Sequence, residues 1–394
     1  MARNVNAPSS NIAFFSDEIL SNPYPAQNEL RDMGSAVWLE QYGMYILPRY
    51  DSVKQALSNW EAFSSFGGVA MNQPMNEKLQ GGLLCSDPPD HDRLRKIIEA
   101  PVMPRELSRL RERVTSEAEA LVERLVAKGS FDAATELAQY LPVTIVSELV
   151  GLPEDGRERM LEWAAATFDC LGPMNERTLS AFPIVGEMVE YAMTECVPGK
   201  LSPDGWAQKI WDAADRGEIE ASRCGFMMND YMGPALDTTI FATSFAIWLF
   251  ARHPDQWQLI RENPALIPQA INEIVRLESP ITQFSRYVTK DVEIGDVHLP
   301  QGSRAIVCYS SANRDERKWG DPTAFRILRD GTADHLGFGH GEHNCVGKNL
   351  ARLEIRALLT ALAKRVERFE LAGDVDYHLI NCLRGLKTCP VIVH

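Results

Sequence analysis

The chain has 394 residues, 45% of them hydrophobic, and a formal net charge of -14. That is ample material for one large core, while the acidic balance argues against a nucleic-acid partner or a basic membrane-binding surface. The N-terminus lacks a long apolar run and the eight cysteines are scattered, so a soluble cytoplasmic protein with reduced thiols, no signal peptide and no membrane anchor is expected.

No linker-like stretch, like-charge block or internal repeat divides the sequence, so residues 1–394 are expected to form a single domain, with 1–21 as a flexible N-terminal segment. Asn22-Pro-Tyr-Pro opens the ordered part in this reading, and residues 36–47 alternate around a glycine turn as a β-hairpin does. Residues 66–84 form a glycine- and methionine-rich loop, long enough to suggest a binding role. Asp87-Pro-Pro-Asp-His-Asp-Arg starts a helix, with its prolines where a first turn tolerates them. Residues 105–128 are amphipathic and stop at Gly129; further helices are expected over 137–151, 155–170 and 179–195. From 222 to 253 the pattern is apolar on nearly every face, which predicts a long buried helix across the core. Residues 256–277 read as helix again, and 292–308 and 369 onward as strands. The fold class is therefore mainly α with a minor β region.

The stretch from His335 to Leu350, His-Leu-Gly-Phe-Gly-His-Gly-Glu-His-Asn-Cys-Val-Gly-Lys-Asn-Leu, presents one cysteine among four glycines, just before a helical pattern that begins near Lys348. A thiolate at a helix N-terminus is favoured by the dipole and by free backbone N–H groups. A core cysteine would have apolar neighbours, which Cys345 lacks. A zinc site with His340 and His343 would need a fourth ligand, and no Cys-x-x-Cys pair supplies a framework for one. The axial thiolate of a haem needs only a glycine-rich loop against the porphyrin and cations for the propionates.

Phe338-x-x-Gly341-x-His343-x-Cys345-x-Gly347 resembles the haem-binding signature of the cytochrome P450 family, and the likeness runs from about residue 22 to the C-terminus. It is strongest to soluble bacterial members that oxidise para-substituted benzoates and related small aromatics. The resemblance implies the cytochrome P450 fold, with haem b between a long distal helix and a proximal one. Cys345 would be the axial iron ligand, with Phe338, Gly339 and Gly347 beside the porphyrin. His91 and Arg95, one helical turn apart, would bind a propionate, helped by Arg286 and His335. Glu273-x-x-Arg276 matches the family's buried ion pair; on spacing alone it would pass for a surface pair.

On the central helix, Met232-Gly-Pro-Ala-Leu-Asp-Thr-Thr places Pro234 where it removes a backbone hydrogen bond and opens the helix locally. Asp237 and Thr238 follow, an acid and an alcohol that can relay protons. The family usually carries Ala-Gly where this chain has Pro234-Ala235, a departure that leaves the acid and alcohol in place. The implied activity is monooxygenation: one atom of O2 enters a C–H bond of a small aromatic substrate, by hydroxylation or oxidative O- or N-dealkylation, and the other leaves as water. Electrons are expected from a separate iron–sulfur ferredoxin and its reductase, docked on Lys348, Arg352, Arg93 and Lys96, with the enzyme a monomer. A haem-thiolate sensor or isomerase is the alternative; it could dispense with the Asp237-Thr238 pair.

The benzoate-oxidising relatives hold their substrate's carboxylate with a basic residue in the loop and an Arg-Ser pair on the central helix. Here the loop reads Phe63-Ser-Ser-Phe-Gly-Gly-Val and the pair is replaced by Asn229-Asp230. A carboxylate about 4 Å from Asp230 would be repelled by roughly 4 kcal/mol at an effective dielectric of 20. The expectation is a neutral or cationic aromatic, its phenol or amine facing Asn229 and Asp230. Phe66, Val69, Phe168 and Leu171 would form a flat slot near Gly233, and Ser285 would enlarge the site beside the haem.

Overall fold

The computed structural model describes residues 6–394. Its long helices follow the amphipathic pattern. In Pro104–Lys128 a proline occupies the first turn, Val114, Ala118, Leu121, Val122 and Leu125 are buried, and Gly129 ends the helix at φ 75°. That left-handed geometry favours glycine. This helix packs against Lys348–Ala363, the helix that follows Cys345.

Strands gather apart from the helices. A six-stranded sheet runs in the order Ser9–Ser10, Val37–Leu39, Met44–Leu47, Arg304–Cys308, Gln283–Val288, Phe63–Ser64. Val37–Leu39 and Met44–Leu47 are the expected hairpin, turning at Gly43 with φ 62°. A three-stranded sheet joins Phe369–Leu371, Pro390–Val393 and Ser130–Asp132, so the C-terminal strands close over the middle of the chain.

The central helix is two helices, Cys224–Met232 and Asp237–Arg252. Pro234 has no N–H to continue the ladder, and the break at 233–236 lies where the sequence placed an opening. Residues 221–252 are long and apolar enough to cross a membrane, but 78% of the most apolar window is buried inside the protein, as befits a core helix.

Several expectations are corrected. Of the expected flexible segment 1–21, residues 1–5 lie outside the described residues, and 6–21 are ordered into the fold: Ser9–Ser10 pairs with the sheet, Asp17–Ser21 is helical, and Phe14 and Phe15 are buried. Phenylalanines in a polar-looking segment supplied the anchor. The loop 66–84 contains a helix, Gln73–Lys78, capped by the Asn72 side chain. The expected helix 256–277 breaks at Asn263-Pro264 into Pro254–Glu262 and Ile267–Leu277, and part of 137–151 winds as the π turn Pro142–Val146. The strand Gln283–Val288 and the helix Trp206–Asp215 were not anticipated.

One polar cluster fastens distant parts of the chain. Glu278 accepts from Tyr24 Oη at 2.5 Å, from Arg384 Nε at 3.1 Å and from Arg314 at 2.8 Å. Arg384 also donates to the Ser21 carbonyl at 2.8 Å. Burial, above all, pushes the Tyr24 phenol up to about 12, so it stays a donor.

Candidate functional site

Cys345 heads the helix Lys348–Ala363 from a loop held by its own backbone, with the Cys345 N–H donating to the Phe338 carbonyl at 2.8 Å. Gly339 and Gly341 adopt φ 69° and 67°, a region L side chains rarely take. A Cβ at Gly341 would collide with the Leu57 carbonyl, so the helix Tyr50–Leu57 abuts the loop. Arg95 braces it from the other side, donating to the carbonyls of Asn344 at 2.9 Å and Glu342 at 3.1 Å.

Burial pushes the Cys345 thiol up, while N–H groups of Gly347 and Lys348 and the charges of Lys348 and Arg95 work against that. These groups favour the anionic sulfur that a metal ligand requires. Cys345 lines a cavity together with Phe338, Gly339 and Gly347 of its own loop and Gly233, Pro234 and Thr238 of the central helical segment.

Four further residues on this cavity share one chemistry. His91 and His343 lie with ring centroids 4.4 Å apart, and the Nε2 of each is buried without a hydrogen-bond partner among the described residues. Asp87 Oδ1 is 3.9 Å from His343 Nε2, beyond bonding reach. Burial, chiefly, lowers His343 to about 4; the Asp87 carboxylate opposes this, and Arg286 and His91 add to it. Arg95 and Arg286 complete the group on the cavity wall. Orphaned nitrogens beside two guanidiniums need acceptors, and the two carboxylates of a haem supply them. The residues therefore fit haem b: Cys345 as iron ligand, His91, Arg95, Arg286 and His343 toward the propionates.

The expected role of His335 is corrected. It is buried off the cavity, where its Nδ1 accepts from the Gly337 N–H at 3.1 Å. Burial first, then the charges of Arg352 and Arg276, lower it to about 3. Off the cavity and with its Nδ1 occupied, His335 does not face a propionate. His343 was overlooked for this purpose although it stands in the signature two residues before the cysteine.

Glu273 and Arg276 are both fully buried, joined at 2.7 and 2.9 Å. Glu273 Oε1 also accepts from Arg329 at 3.0 Å and the Arg326 N–H at 3.1 Å. Arg276 donates to the Asn313 carbonyl at 2.7 Å, and Asn313 Oδ1 accepts from the Leu336 N–H at 2.7 Å. The pair thus reaches the start of the cysteine loop through one residue.

On the distal side the Thr238 hydroxyl faces the cavity and donates to the Pro234 carbonyl at 3.2 Å, an acceptor freed by the helix break. Asp237 is buried off the cavity, its Oδ2 unpartnered among the described residues, and burial raises it to about 7. The alcohol therefore meets the reaction space directly, while the acid stands behind it. When bound, the haem supplies the activation of dioxygen, its thiolate favouring O–O cleavage; Thr238 can hold or pass a proton at its Oγ1.

The substrate-side expectations divide. Phe168, Leu171, Asn229, Asp230 and Gly233 line the cavity. Phe66 does not: it is 61% exposed, because the turn at Gly67 and Gly68 packs against Tyr287 and Asn76 and directs the ring outward. Val69 and Ser285 are buried away from it, bound to one another, with Ser285 Oγ also bonded to the Ala70 carbonyl at 2.8 Å and to Arg304 at 2.9 Å. Ser285 therefore does not enlarge the site. The Asp230 carboxylate is committed to the backbone N–H groups of Leu83 at 2.9 Å and Leu84 at 3.4 Å rather than free for a ligand. Burial raises it to about 6 against those bonds. Met75, Leu83, Met188, Phe226, Phe284 and Tyr309 also line the cavity and were not foreseen, since no spacing motif marks them.

Comparison with known proteins agrees with this geometry. The cytochrome P450 family matches residues 21–191 and 226–383. Cytochrome P450 CYP199A2 of Rhodopseudomonas palustris is 34% identical, over 96% of this chain and 92% of the relative. Linalool 8-monooxygenase of Pseudomonas putida is 31% identical, over 78% and 76%. The haem domain of CYP116B5 from Acinetobacter radioresistens, 24% identical, superposes with a TM-score of 0.87 over 98% of this chain and 97% of that one. The chain belongs to the cytochrome P450 family and is a haem-thiolate monooxygenase.

Proposed function

We infer that this single-domain, cytoplasmic, monomeric monooxygenase oxidises a small neutral aromatic compound that carries a hydrogen-bond donor, by hydroxylation or by oxidative O- or N-dealkylation. The observation that carries the reading is Asn229 Oδ1, buried on the wall of the cavity without a partner among the described residues. A buried acceptor left unmade costs about 1–3 kcal/mol, and a phenol or amine N–H would satisfy it. Phe168 and Phe284, parallel within 6° at 6.4 Å between centroids, give this space flat apolar walls. Both carboxylate oxygens of Asp230 already accept from the backbone, so a cationic ligand has little to gain there. An alkyl or methoxy group would point toward Cys345.

Electrons would come from a separate iron–sulfur ferredoxin and its reductase. Lys348, held to Asn344 at 3.0 Å beside the cysteine, and the exposed Lys96 support docking there. Arg352 is turned inward to Asn272 and stacked over Phe338, and Arg93 is paired with Asp90 and Glu220, so neither offers a free charge. Thr238 would deliver protons, with Asp237 behind it.

Spectral titration of the ferric enzyme with matched para-substituted phenols, anilines and benzoates tests the substrate reading. The phenol or aniline is expected to shift the spin state at the lowest concentration. Asn229→Leu is expected to weaken that binding about tenfold, the worth of one hydrogen bond, and to spare a donor-free analogue. Tight spin-shifting binding by the benzoate alone would overturn the reading.

A further inference from the structure

Two side chains from one helical segment hold a single strip of the cavity wall. Arg223, just before the helix Cys224–Met232, donates to the Gly81 carbonyl through Nε at 3.1 Å and through a terminal nitrogen at 3.0 Å. It also pairs with Asp90 at 2.8 Å, where the next helix begins. Two turns further on, the Asp230 carboxylate accepts from the Leu83 and Leu84 N–H groups. A Cβ on Gly82 would sit 3.5 Å from Asp230 Oδ2, so the strip lies directly against the carboxylate. Gly82, Leu83 and Leu84 all face the cavity.

Residues 81–84 have no regular structure, and no strand or helix ladder holds them in place. Within the loop the Gly82 N–H reaches the Leu79 carbonyl only at 3.5 Å and Ser86 Oγ donates to the Leu83 carbonyl at 2.7 Å, while the N–H groups of Leu83 and Leu84 depend on an outside acceptor. For Leu83 and Leu84 that acceptor is one charged side chain, and hydrogen bonds to ionised groups are roughly twice as strong as neutral ones. A segment held by so few bonds belongs to the part of a protein that opens locally; Leu84 lines the cavity and is also partly exposed, so the strip stands between the cavity and solvent.

We propose that Asp230 is a positioning residue: its carboxylate latches residues 81–84 closed over the reaction space, and release of that latch admits ligands. This differs from direct contact between Asp230 and substrate, and it does not depend on which aromatic compound is oxidised. Asn229 and Asp230, adjacent in sequence, then divide the work, one facing the ligand and the other holding the wall.

The test uses the haem-loaded enzyme and 4-phenylimidazole, which ligates iron whatever the natural substrate. Hydrogen exchange at the Leu83 and Leu84 amides and stopped-flow binding are measured for wild type, Asp230→Leu and Asp230→Asn. In Asp230→Leu both amides are expected to exchange at least about tenfold faster, with association and dissociation accelerated together and the dissociation constant little changed. Asp230→Asn, which keeps one acceptor oxygen, is expected to fall between. Unchanged exchange and unchanged rates in Asp230→Leu would overturn the proposal. If that variant does not load haem, the same null result in Asp230→Asn would overturn it equally. A change in discrimination between phenols and amines with no change in either rate would assign Asp230 to the ligand and also refute the latch.

Discussion

Replacing Glu273 removes the acceptor for four donors at once: Arg276 Nε and a terminal nitrogen, Arg329 Nε and the Arg326 N–H. Arg276 cannot escape to solvent, because it is 0% exposed and its other terminal nitrogen is bound to the carbonyls of Asn313 and Pro322 at 2.7 and 3.0 Å. The guanidinium stays buried without its counter-charge, a situation that costs about 3–5 kcal/mol. Against a total stability of about 5–15 kcal/mol, Glu273→Ala should lower the urea midpoint by a large fraction. Because Arg276 reaches Leu336 through Asn313, the cysteine loop should loosen before the rest, and haem occupancy should fall further than global stability. Arg329→Gln is the control: it leaves the Glu273–Arg276 bonds intact while removing one donor from Glu273 together with bonds to the carbonyls of Gly320, Asp321 and Ala324, none of which strands a buried charge, so a smaller loss than in Glu273→Ala is expected. Haem content per protein and urea unfolding followed at the Soret band and by far-UV dichroism measure both effects. Full haem occupancy with an unchanged midpoint in Glu273→Ala would refute the reasoning.

Thr238→Ala should bind substrate as wild type does but release more hydrogen peroxide; an unchanged yield of product per reductant consumed would count against the proton-delivery role. Asp237 has a folded pKa of about 7, raised by burial from its ordinary value near 4, so its contribution to stability is complete below pH 4 and is lost as pH rises through 7. Asp237→Asn should therefore gain stability relative to wild type between pH 5 and pH 8, and equal urea-midpoint differences at the two pH values would contradict this. Turnover with ferredoxin should decline as salt rises, and Lys96→Glu should raise the ferredoxin KM severalfold; indifference to both would remove the docking site from this face.

Much of the site was legible because its chemistry is local. Phe338, Cys345 and the glycines lie within ten residues, and a proline inside an apolar helix announces a break wherever the helix goes. Glu273 and Arg276 could be paired from their spacing, though the burial that gives the pair its energy came only with the fold. The remaining errors involve partners far away in sequence. Nothing near Asp230 signals that Leu83 and Leu84 would claim its oxygens, nor near Ser285 that Val69 and Arg304 would claim its hydroxyl. His335 and His343 look alike as letters; only the cavity separates the ring bonded away from it from the one with an empty nitrogen on its wall.

The cluster around Glu278 sets an order of events in biosynthesis. Its acceptor oxygens await Tyr24, already made, and Arg384, which is 360 residues further along the chain from Tyr24. Until residue 384 leaves the ribosome, Glu278 lacks one of its two guanidinium partners, and the strand Pro390–Val393 that pairs with Ser130–Asp132 does not yet exist. Contacts of such sequence separation form late. The complete cluster can therefore form only after Arg384 has been made, some time after Cys345 has been synthesised.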